Sequence, residues 1–330
     1  MPNRRLLVVK TSSMGDLIHT LSAVEEARRH CPGLMVDWVC EEAFVDIPSL
    51  CGAIDRVIPV AIRRWRKNWL AKTTRTEIRD FIRELRKVEY DLVIDAQGLM
   101  KSAWITMAAR CPSTERWGFD RSSIREPLAL LALRKTVHAP AQWHAIERLR
   151  TLFGAALGYT PSGPVACLAH SIQPGGVASP TTVLLLHGTT RAEKSWPVDA
   201  WSELGRQLVA DGHAVVIPWG TKHERTTAER IAVNIGDGAR VLPEMSIGEL
   251  AARVQNSLGV IGVDSGLMHL SVALGRPTVA VMTASHLPRF SAARFAPFWA
   301  AHAQVVASTP RDPVIAVADV LAAWRGLMAR

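Results

Sequence analysis

The chain has 330 residues, of which 48% are hydrophobic and 21% charged. This length is sufficient for one large or two medium α/β domains, and no apolar run is long enough for a signal peptide or a membrane span, so we expect a cytoplasmic protein. The five cysteines are scattered and form no C-x-x-C pair, which disfavours a disulfide framework and a structural zinc site.

The formal net charge of +9 is unevenly distributed. Residues 1–150 hold 25 Lys and Arg against 18 Asp and Glu, a net +7, whereas residues 151–330 hold 14 against 12, a net +2. The first half is therefore expected to meet something anionic: nucleic acid, a phosphorylated substrate or a membrane surface.

Strand-like apolar runs alternate with amphipathic helical patterns along the first half. This alternation predicts a parallel sheet with crossover helices. The predicted strands are 6–10, 35–40, 56–60 and 92–95, and the predicted helices include 17–30 and 76–88.

The pattern lapses between residues 160 and 181, where Pro, Gly and Ser are frequent. We therefore expect two α/β domains, 1–165 and 166–330, with a cleft between them. A final helix over 313–328 could pack on either domain. In the second domain the predicted strands are 183–186, 214–218, 258–263 and 278–281, and the predicted helices are 200–210, 224–234, 247–255 and 267–274.

The first strand ends in the segment KTSSMGD at residues 10–16, after which helical periodicity resumes. Ligands of open α/β sheets bind at the carboxyl ends of the strands. Asp16 is thus a carboxylate placed at a ligand crevice, or it only caps the helix that follows.

The usual nucleotide and metal motifs do not occur. The chain has no G-x-G-x-x-G and no G-x-x-x-x-G-K-[ST], which disfavours a nicotinamide enzyme and a P-loop ATPase. It has no Asp-x-Asp pair and no close cluster of His and carboxylates. A phosphate would have to be bound by helix N-termini and by Lys or Arg.

Two segments in the second half suit such an anion. After strand 183–186, Thr189 and Thr190 precede Lys194, although an ordinary surface loop has the same composition. After strand 258–263, Asp264 is followed by Ser265 and Gly266 at a helix start, where backbone N–H groups suit a diphosphate. Asp264 could bind sugar hydroxyls or cap the helix.

The first half contains the basic segment RRWRKNW at residues 63–69. Its four cations could clamp phosphates, and with its tryptophans it could stack on single-stranded nucleic acid. A solvated loop is the third interpretation.

Taken in order, five segments resemble the lipopolysaccharide heptosyltransferase I family. They are KTSSMGD (10–16), RRWRK (63–67), DAQGLMKS (95–102), WG (219–220) and DSGLMH (264–269). The resemblance extends along essentially the whole chain. It implies a glycosyltransferase-B architecture, in which two Rossmann-like domains face each other across a cleft.

The resemblance also implies an activity. The C-terminal domain would bind ADP-L-glycero-β-D-manno-heptose, and the N-terminal domain would bind the inner Kdo (3-deoxy-D-manno-octulosonic acid) of Kdo2-lipid A. Heptose would be transferred with inversion and without a metal or other cofactor. The enzyme would be peripheral at the cytoplasmic face of the inner membrane, in contact with its anionic surface, and no nucleic acid would be involved.

Roles follow from the matching positions. Asp16 matches the general base. Donor-binding roles fall on Thr189, Thr190, Lys194, Glu224, Asp264, Ser265, Gly266 and His269. Acceptor-binding roles fall on Arg63, Arg64, Arg66, Lys67, Lys101 and Arg125.

The chain departs from the family pattern at two places. Ser265 replaces the expected threonine, and residues 283–288 read TASHLP where a Gly-Pro-Thr-Asp-Pro-like loop is expected, although Thr283 and Ser285 could still reach a phosphate. The alternatives are a related heptosyltransferase acting on a later core acceptor, a non-catalytic two-domain binding protein, or a nucleic-acid-binding protein.

Overall fold

The structure is a computed structural model that describes residues 4–163 and 179–330. The chain divides into two compact units, Met1–Ala166 and Cys167–Arg330. The predicted boundary between residues 165 and 166 lies outside the described residues and stays a prediction, and Cys167 lies outside them too. Within the described residues, each unit has one six-stranded parallel sheet.

The first sheet has the strand order β3-β2-β1-β4-β5-β6. Its central strand β1 is entirely apolar from Leu6 to Val9, and these four side chains are fully buried, as both faces of the sheet are covered. The strands are β1 Arg5–Val9, β2 Met35–Glu41, β3 Arg56–Val60, β4 Leu92–Asp95, β5 Arg116–Phe119 and β6 Lys135–Val137.

In the described part of this unit, six α-helices accompany the sheet. They are α1 Met14–His30, α2 Asp46–Ser49, α3 Ile62–Trp65, α4 Lys72–Leu85, α5 Met100–Ala108 and α6 Ala145–Leu157. Helices α4 and α5 cover one face, where Phe81 and Ile105 pack in one core cluster with Leu7 and Val9. Helix α1 packs against α6.

The second sheet has the order β12-β11-β10-β7-β8-β9. Its strands are β7 Ser179–Leu186, β8 Ala214–Ile217, β9 Ala239–Val241, β10 Ser257–Val263, β11 Thr278–Met282 and β12 Ala303–Ala307. Its helices are α7 Val198–Ala210, α8 Lys222–Ile235, α9 Ile247–Gln255, α10 Gly266–Ala273, α11 Ala292–Phe295 and α12 Val317–Met328.

The C-terminal helix α12 belongs to the second unit. Its Trp324 and Val320 are buried in the core cluster that contains Val183 and Ile261 of the second sheet. Within this unit, α12 packs against β12, α7 and β11. The expectation that this helix packs back on the first domain stays a prediction.

The predicted α/β class and the eight predicted strands are confirmed, with ends that move by up to four residues. Strands β5, β6, β9 and β12 were not predicted. Within residues 4–163 and 179–330, no helix is both long and apolar enough to span a bilayer.

Candidate active site

Asp16 lies in the first turn of α1, directly after the loop that follows β1. Its Oδ2 accepts hydrogen bonds from the Ser13 backbone N–H (3.0 Å) and from the Ser13 hydroxyl (2.8 Å). Its Oδ1 lies 3.9 Å from Lys10 Nζ. Asp16 therefore does stabilise the helix start, as one of the two interpretations held, but only one of its oxygens is used for that.

Charge and hydrogen bonding keep Asp16 ionised. Burial alone would raise its pKa, but the Lys10 ammonium and the hydrogen bonds from Ser13 outweigh burial and hold the pKa below its usual value. Burial lowers the pKa of Lys10, and Asp16 and Asp95 oppose that shift. The result is a carboxylate that can accept a proton at neutral pH.

The loop after β4 holds the loop that precedes Asp16. Gln97 Oε1 accepts hydrogen bonds from the backbone N–H groups of Thr11 and Ser12, both at 3.1 Å. Lys10 Nζ donates to the Ala96 carbonyl at 2.9 Å. These contacts fix the backbone between β1 and α1, so the segment at 95–102 supports the carboxylate from the neighbouring strand.

Asp95 in turn shapes the supporting loop. It is fully buried, and its Oδ1 accepts from the backbone N–H groups of Gln97 and Gly98 at 2.9 Å each. Its Oδ2 accepts from the Ser102 hydroxyl at 3.0 Å. Gly98 has a φ of +67°, a backbone conformation that residues with a Cβ atom rarely adopt. Burial raises the pKa of Asp95 against these hydrogen bonds.

The cations of the basic segment after β3 differ in their surroundings. Arg64 donates to Glu42 at 3.0 Å and to Glu77 at 2.9 Å, so its charge is largely neutralised. Arg66 and Lys67 are exposed. The guanidinium of the exposed Arg63 lies 5.2 Å from the centre of the Phe44 ring.

Two further cations lie at the same edge of the first sheet. Lys101 Nζ donates to the Ser12 hydroxyl at 2.9 Å, and burial lowers its pKa, with Glu41 opposing the shift. Arg125 is exposed beside the Gly98 turn. All the predicted acceptor residues thus follow the carboxyl ends of β3, β4 and β5.

In the second unit, the partly buried Lys194 and the buried Asp264 and His269 form one cluster. Lys194 Nζ lies 2.5 Å from Asp264 Oδ2, and His269 Nε2 lies 3.4 Å from Asp264 Oδ1. Burial would raise the pKa of Asp264, but His269 and Lys194 outweigh it and lower that pKa to about 2. Sequence had assigned these residues separate contacts, whereas here they are bound to one another.

The helix start beside this cluster has the predicted geometry. Ser265 is the N-cap of α10, and its hydroxyl accepts from the Met268 N–H at 3.4 Å. Gly266 begins the helix. The Thr189 hydroxyl donates to the Asp264 carbonyl at 3.4 Å, while Thr190 is exposed. The loops after β7 and β10 therefore meet at one edge of the second sheet.

Glu224 lies in the first turn of α8, at that same edge. Its Oε2 accepts from the backbone N–H groups of Gly220 and Thr221 at 2.9 Å each. A Cβ at Gly188 would lie 2.7 Å from Glu224 Oε1, so a side chain at position 188 would require the Glu224 carboxylate to move.

The divergent loop after β11 makes contacts of its own. The Thr283 hydroxyl donates to the Glu193 carbonyl at 3.4 Å, and the Ser285 hydroxyl accepts from the Ala292 N–H at 3.0 Å. Phe290 lies beside Lys194, whose Nζ is 4.8 Å from the ring centre. This aromatic contact was not predicted, since 96 residues separate the two in the chain.

Of the supporting groups, Lys10 and Gln97 were not assigned a role from the sequence. Lys10 is the first residue after β1 and Gln97 is the second residue after β4. Their positions at the ends of central strands could have indicated a role from the sequence. In the described parts of the chain, no group of three or more His, Cys, Asp or Glu side chains could hold a metal ion.

The chain is similar to known proteins in both sequence and structure. The profile of Glycosyltransferase family 9 (heptosyltransferase) matches residues 78–313. Lipopolysaccharide heptosyltransferase 1 of Salmonella typhimurium is 43% identical over 278 residues, or 83% of this chain and 87% of that protein.

Two solved structures are also similar. E. coli heptosyltransferase WaaC with ADP has a TM-score of 0.88 at 36% identity, covering 98% of this chain and 99% of that one. The structure of WaaC with ADP-2-deoxy-2-fluoro heptose has a TM-score of 0.83 at 37% identity, over the same shares. The chain therefore belongs to glycosyltransferase family 9, the heptosyltransferases.

Proposed function

We propose that this glycosyltransferase moves L-glycero-D-manno-heptose from ADP-heptose to the inner Kdo of Kdo2-lipid A, with inversion and without a metal. The observation that carries the proposal is the ionised Asp16, whose Oδ1 lies outside the capping hydrogen bonds to Ser13. The solved relatives hold ADP and a fluorinated ADP-heptose, which supports the donor.

In this reaction Asp16 takes the proton of the attacking Kdo hydroxyl. The hydroxyl oxygen forms a bond to the anomeric carbon of heptose, and the bond from that carbon to the diphosphate oxygen breaks. ADP leaves with the electron pair, so negative charge grows on the diphosphate as the sugar becomes oxocarbenium-like.

The second unit supplies the donor side. Lys194 and the start of α10, with Ser265 and Gly266, stabilise the diphosphate, while Glu224 contacts the ribose. Asp264 and His269 bind heptose hydroxyls, with Thr189 and Thr190 at the adjoining loop. Because Lys194 lies 2.5 Å from Asp264, an arriving diphosphate competes with this carboxylate for the ammonium.

The first unit supplies the acceptor side. Arg63, Arg66, Lys67, Lys101 and Arg125 bind the phosphates and carboxylates of Kdo2-lipid A, and Arg64 has the smallest share because two glutamates already bind it. The enzyme works in the cytoplasm, peripherally at the inner membrane. A role in nucleic-acid binding is not needed to explain the charge.

Asp16→Asn tests the base. The amide oxygen of Asn can still accept the hydrogen bonds from Ser13, so the helix start is kept and only the base is removed. With ADP-heptose and Kdo2-lipid A, we expect ADP release to slow by about 10²–10⁴-fold. Near-normal turnover of this variant would exclude Asp16 as the base and leave the family unaffected.

Asp120→Asn is the matched control. Asp120 also caps a turn at the carboxyl end of a strand of the first sheet, where it accepts a hydrogen bond from the Ser123 N–H at 2.9 Å. Hydrogen bonds with the side chains of Ser123, Ser122 and His138 lower its pKa to about 2. It has no proposed part in the reaction, so this variant is expected to keep its turnover.

If the intact protein releases no ADP with Kdo2-lipid A but does so with a heptosylated core acceptor, the acceptor assignment is wrong.

A further inference from the structure

The segment between α3 and α4 exposes two large apolar side chains next to each other. Trp69 is 67% exposed and Leu70 is 60% exposed. Trp65, four residues earlier, is buried and donates from Nε1 to Glu77 at 2.7 Å. Trp69 and Leu70 are therefore exposed although a nearby tryptophan of the same segment is buried. Exposing apolar side chains of this size to water is unfavourable.

Positive charge surrounds this apolar pair on both sides. Arg66 and Lys67 precede it, and Lys72, Arg75 and Arg79 follow it on α4, all of them exposed. The one acid between residues 66 and 79 is Glu77, which already binds Arg64 and Trp65. We call residues 66–79 the basic-aromatic segment.

The direction of this segment is set by the packing of α4. Phe81 and Leu85 of α4 are buried in the first core, and Thr74 is buried too. The cations of α4 therefore face outward, because the opposite side of the helix is already covered. Trp69 and Leu70 thus remain largely uncovered by residues 4–163 and 179–330.

We propose that the basic-aromatic segment docks on an anionic phospholipid bilayer, with Trp69 and Leu70 entering the interfacial region and the cations contacting headgroup phosphates. Tryptophan is favoured at this boundary because its ring is apolar and its N–H is polar. One apolar insertion with adjacent basic residues is the combination that gives stable peripheral binding.

A bilayer fits the segment better than single-stranded nucleic acid does. Stacking on bases uses aromatic rings, and Leu70, which is as exposed as Trp69, has no use in it. Both side chains are used at a bilayer boundary. This membrane contact would bring the enzyme to an acceptor that is carried on a lipid. The biological purpose of the contact rests on the proposed function, whereas the binding to the bilayer does not.

Vesicle sedimentation without either substrate tests the docking. Wild-type protein is expected to bind vesicles of phosphatidylcholine with 30% phosphatidylglycerol and not vesicles of phosphatidylcholine alone. Trp69→Ser/Leu70→Ser should weaken binding on the order of tenfold, and Lys72→Gln/Arg75→Gln should weaken it about fivefold per charge, with less effect at high salt.

Phe298→Ser is the matched control. Phe298 is 63% exposed, like Trp69, but it lies in the second unit and outside any basic segment. This variant is expected to bind as wild type. Equal losses in the control and in the double variant, or no binding by the wild type, would overturn the proposal.

A second measurement uses the conservative variant Trp69→Phe, which keeps an aromatic ring at this position. Lipids brominated near the headgroup should quench wild-type tryptophan fluorescence more than that of Trp69→Phe. Equal quenching would contradict insertion of Trp69. Displacement of the vesicles by a single-stranded oligonucleotide that binds through Trp69 would overturn the choice of ligand.

Failure of this inference can be told apart from failure of the proposed reaction. Sedimentation needs no donor or acceptor, and transfer can be measured with a deacylated, water-soluble acceptor. We expect Trp69→Ser/Leu70→Ser to lose rate on vesicle-borne Kdo2-lipid A while its rate on the soluble acceptor stays within about twofold. Loss on both acceptors alike would contradict a membrane role.

Discussion

In the proposed reaction, Asp16 combines two tasks that usually compete for one carboxylate. A side chain that caps a helix has its oxygen directed at backbone N–H groups, whereas a base needs an oxygen that can reach a substrate proton. Here Ser13 takes Oδ2, and Lys10 lies 3.9 Å from Oδ1. Lys10 is thus a positioning residue that keeps the proposed base ionised.

Lys10→Met tests this electrostatic role. The folded pKa of Asp16 is held below its ordinary value, so the reactive anion persists as the pH falls towards that value. Without the ammonium of Lys10, the hydrogen bonds from Ser13 are the main effect left to oppose burial, so the pKa of Asp16 rises. We expect the acid limb of kcat/KM to move to higher pH by about one unit or more.

The measurement is kcat/KM between pH 4.5 and 8 for wild type, Lys10→Met and Lys101→Met. Lys101 is a neighbouring cation bound to Ser12, and Asp16 is not among the groups that shift its pKa. Its removal should lower acceptor use without moving the acid limb. An unmoved limb in Lys10→Met would show that Lys10 does not set the ionisation of Asp16.

The sequence predicted candidate site residues but not the ion pairs that some of them form. Asp16 and Asp264 were predicted because each follows a buried strand, which is a local pattern. The pairing of Lys194 with Asp264 joins residues 70 positions apart, and that of Arg64 with Glu42 joins residues 22 apart. No local sequence pattern indicates that residues so far apart in the chain form an ion pair. The structure was therefore needed to identify these two pairs.

At the scale of elements, the central strands were predictable and most of the outer ones were not. Strands β1, β4, β7 and β10 are short apolar runs, as expected for strands covered on both faces. The unpredicted β6 and β9 have three residues each, and every residue of β12 is only partly buried. Their sequences carry too little apolar signal for a strand to be recognised.

Two helix glycines give a matched test of packing in the second unit. A Cβ at Gly205 of α7 would overlap Cδ1 and Cγ1 of Ile235 on α8, whereas a Cβ at Gly326 of α12 would meet nothing within 4 Å. Gly205→Ala should lower the free energy of unfolding by about 1–2 kcal/mol because the β-branched Ile235 has few rotamers to move into.

Gly326→Ala should instead raise the free energy of unfolding by about 0.5–1 kcal/mol, since alanine loses less backbone entropy in a helix. Urea denaturation midpoints of the two variants measure both effects. Stabilisation of both variants would mean that helix propensity, and not the contact between α7 and α8, decides the result.

At the scale of the whole molecule, the charge asymmetry matches the proposed division of labour. The first half has a net charge of +7 and the second half +2, and the exposed cations of the first unit follow the carboxyl ends of its strands. In the second unit, the ammonium of Lys194 is bound within the cluster that it forms with Asp264 and His269. One unit thus suits a multiply charged acceptor, and the other suits a single diphosphate.

Neutralising the acceptor cations tests this division. Arg63→Gln, Arg66→Gln and Lys67→Gln remove three exposed charges, and a charge-assisted hydrogen bond contributes about 1.5–3 kcal/mol. The KM for Kdo2-lipid A should therefore rise on the order of tenfold for each charge that contacts the acceptor, while the affinity for ADP measured by calorimetry stays unchanged.

Arg110→Gln, which removes an exposed cation paired with Glu89 at 3.4 Å, is the control and should change neither quantity. Equal losses in acceptor KM and ADP affinity would mean that the two units do not divide the substrates between them.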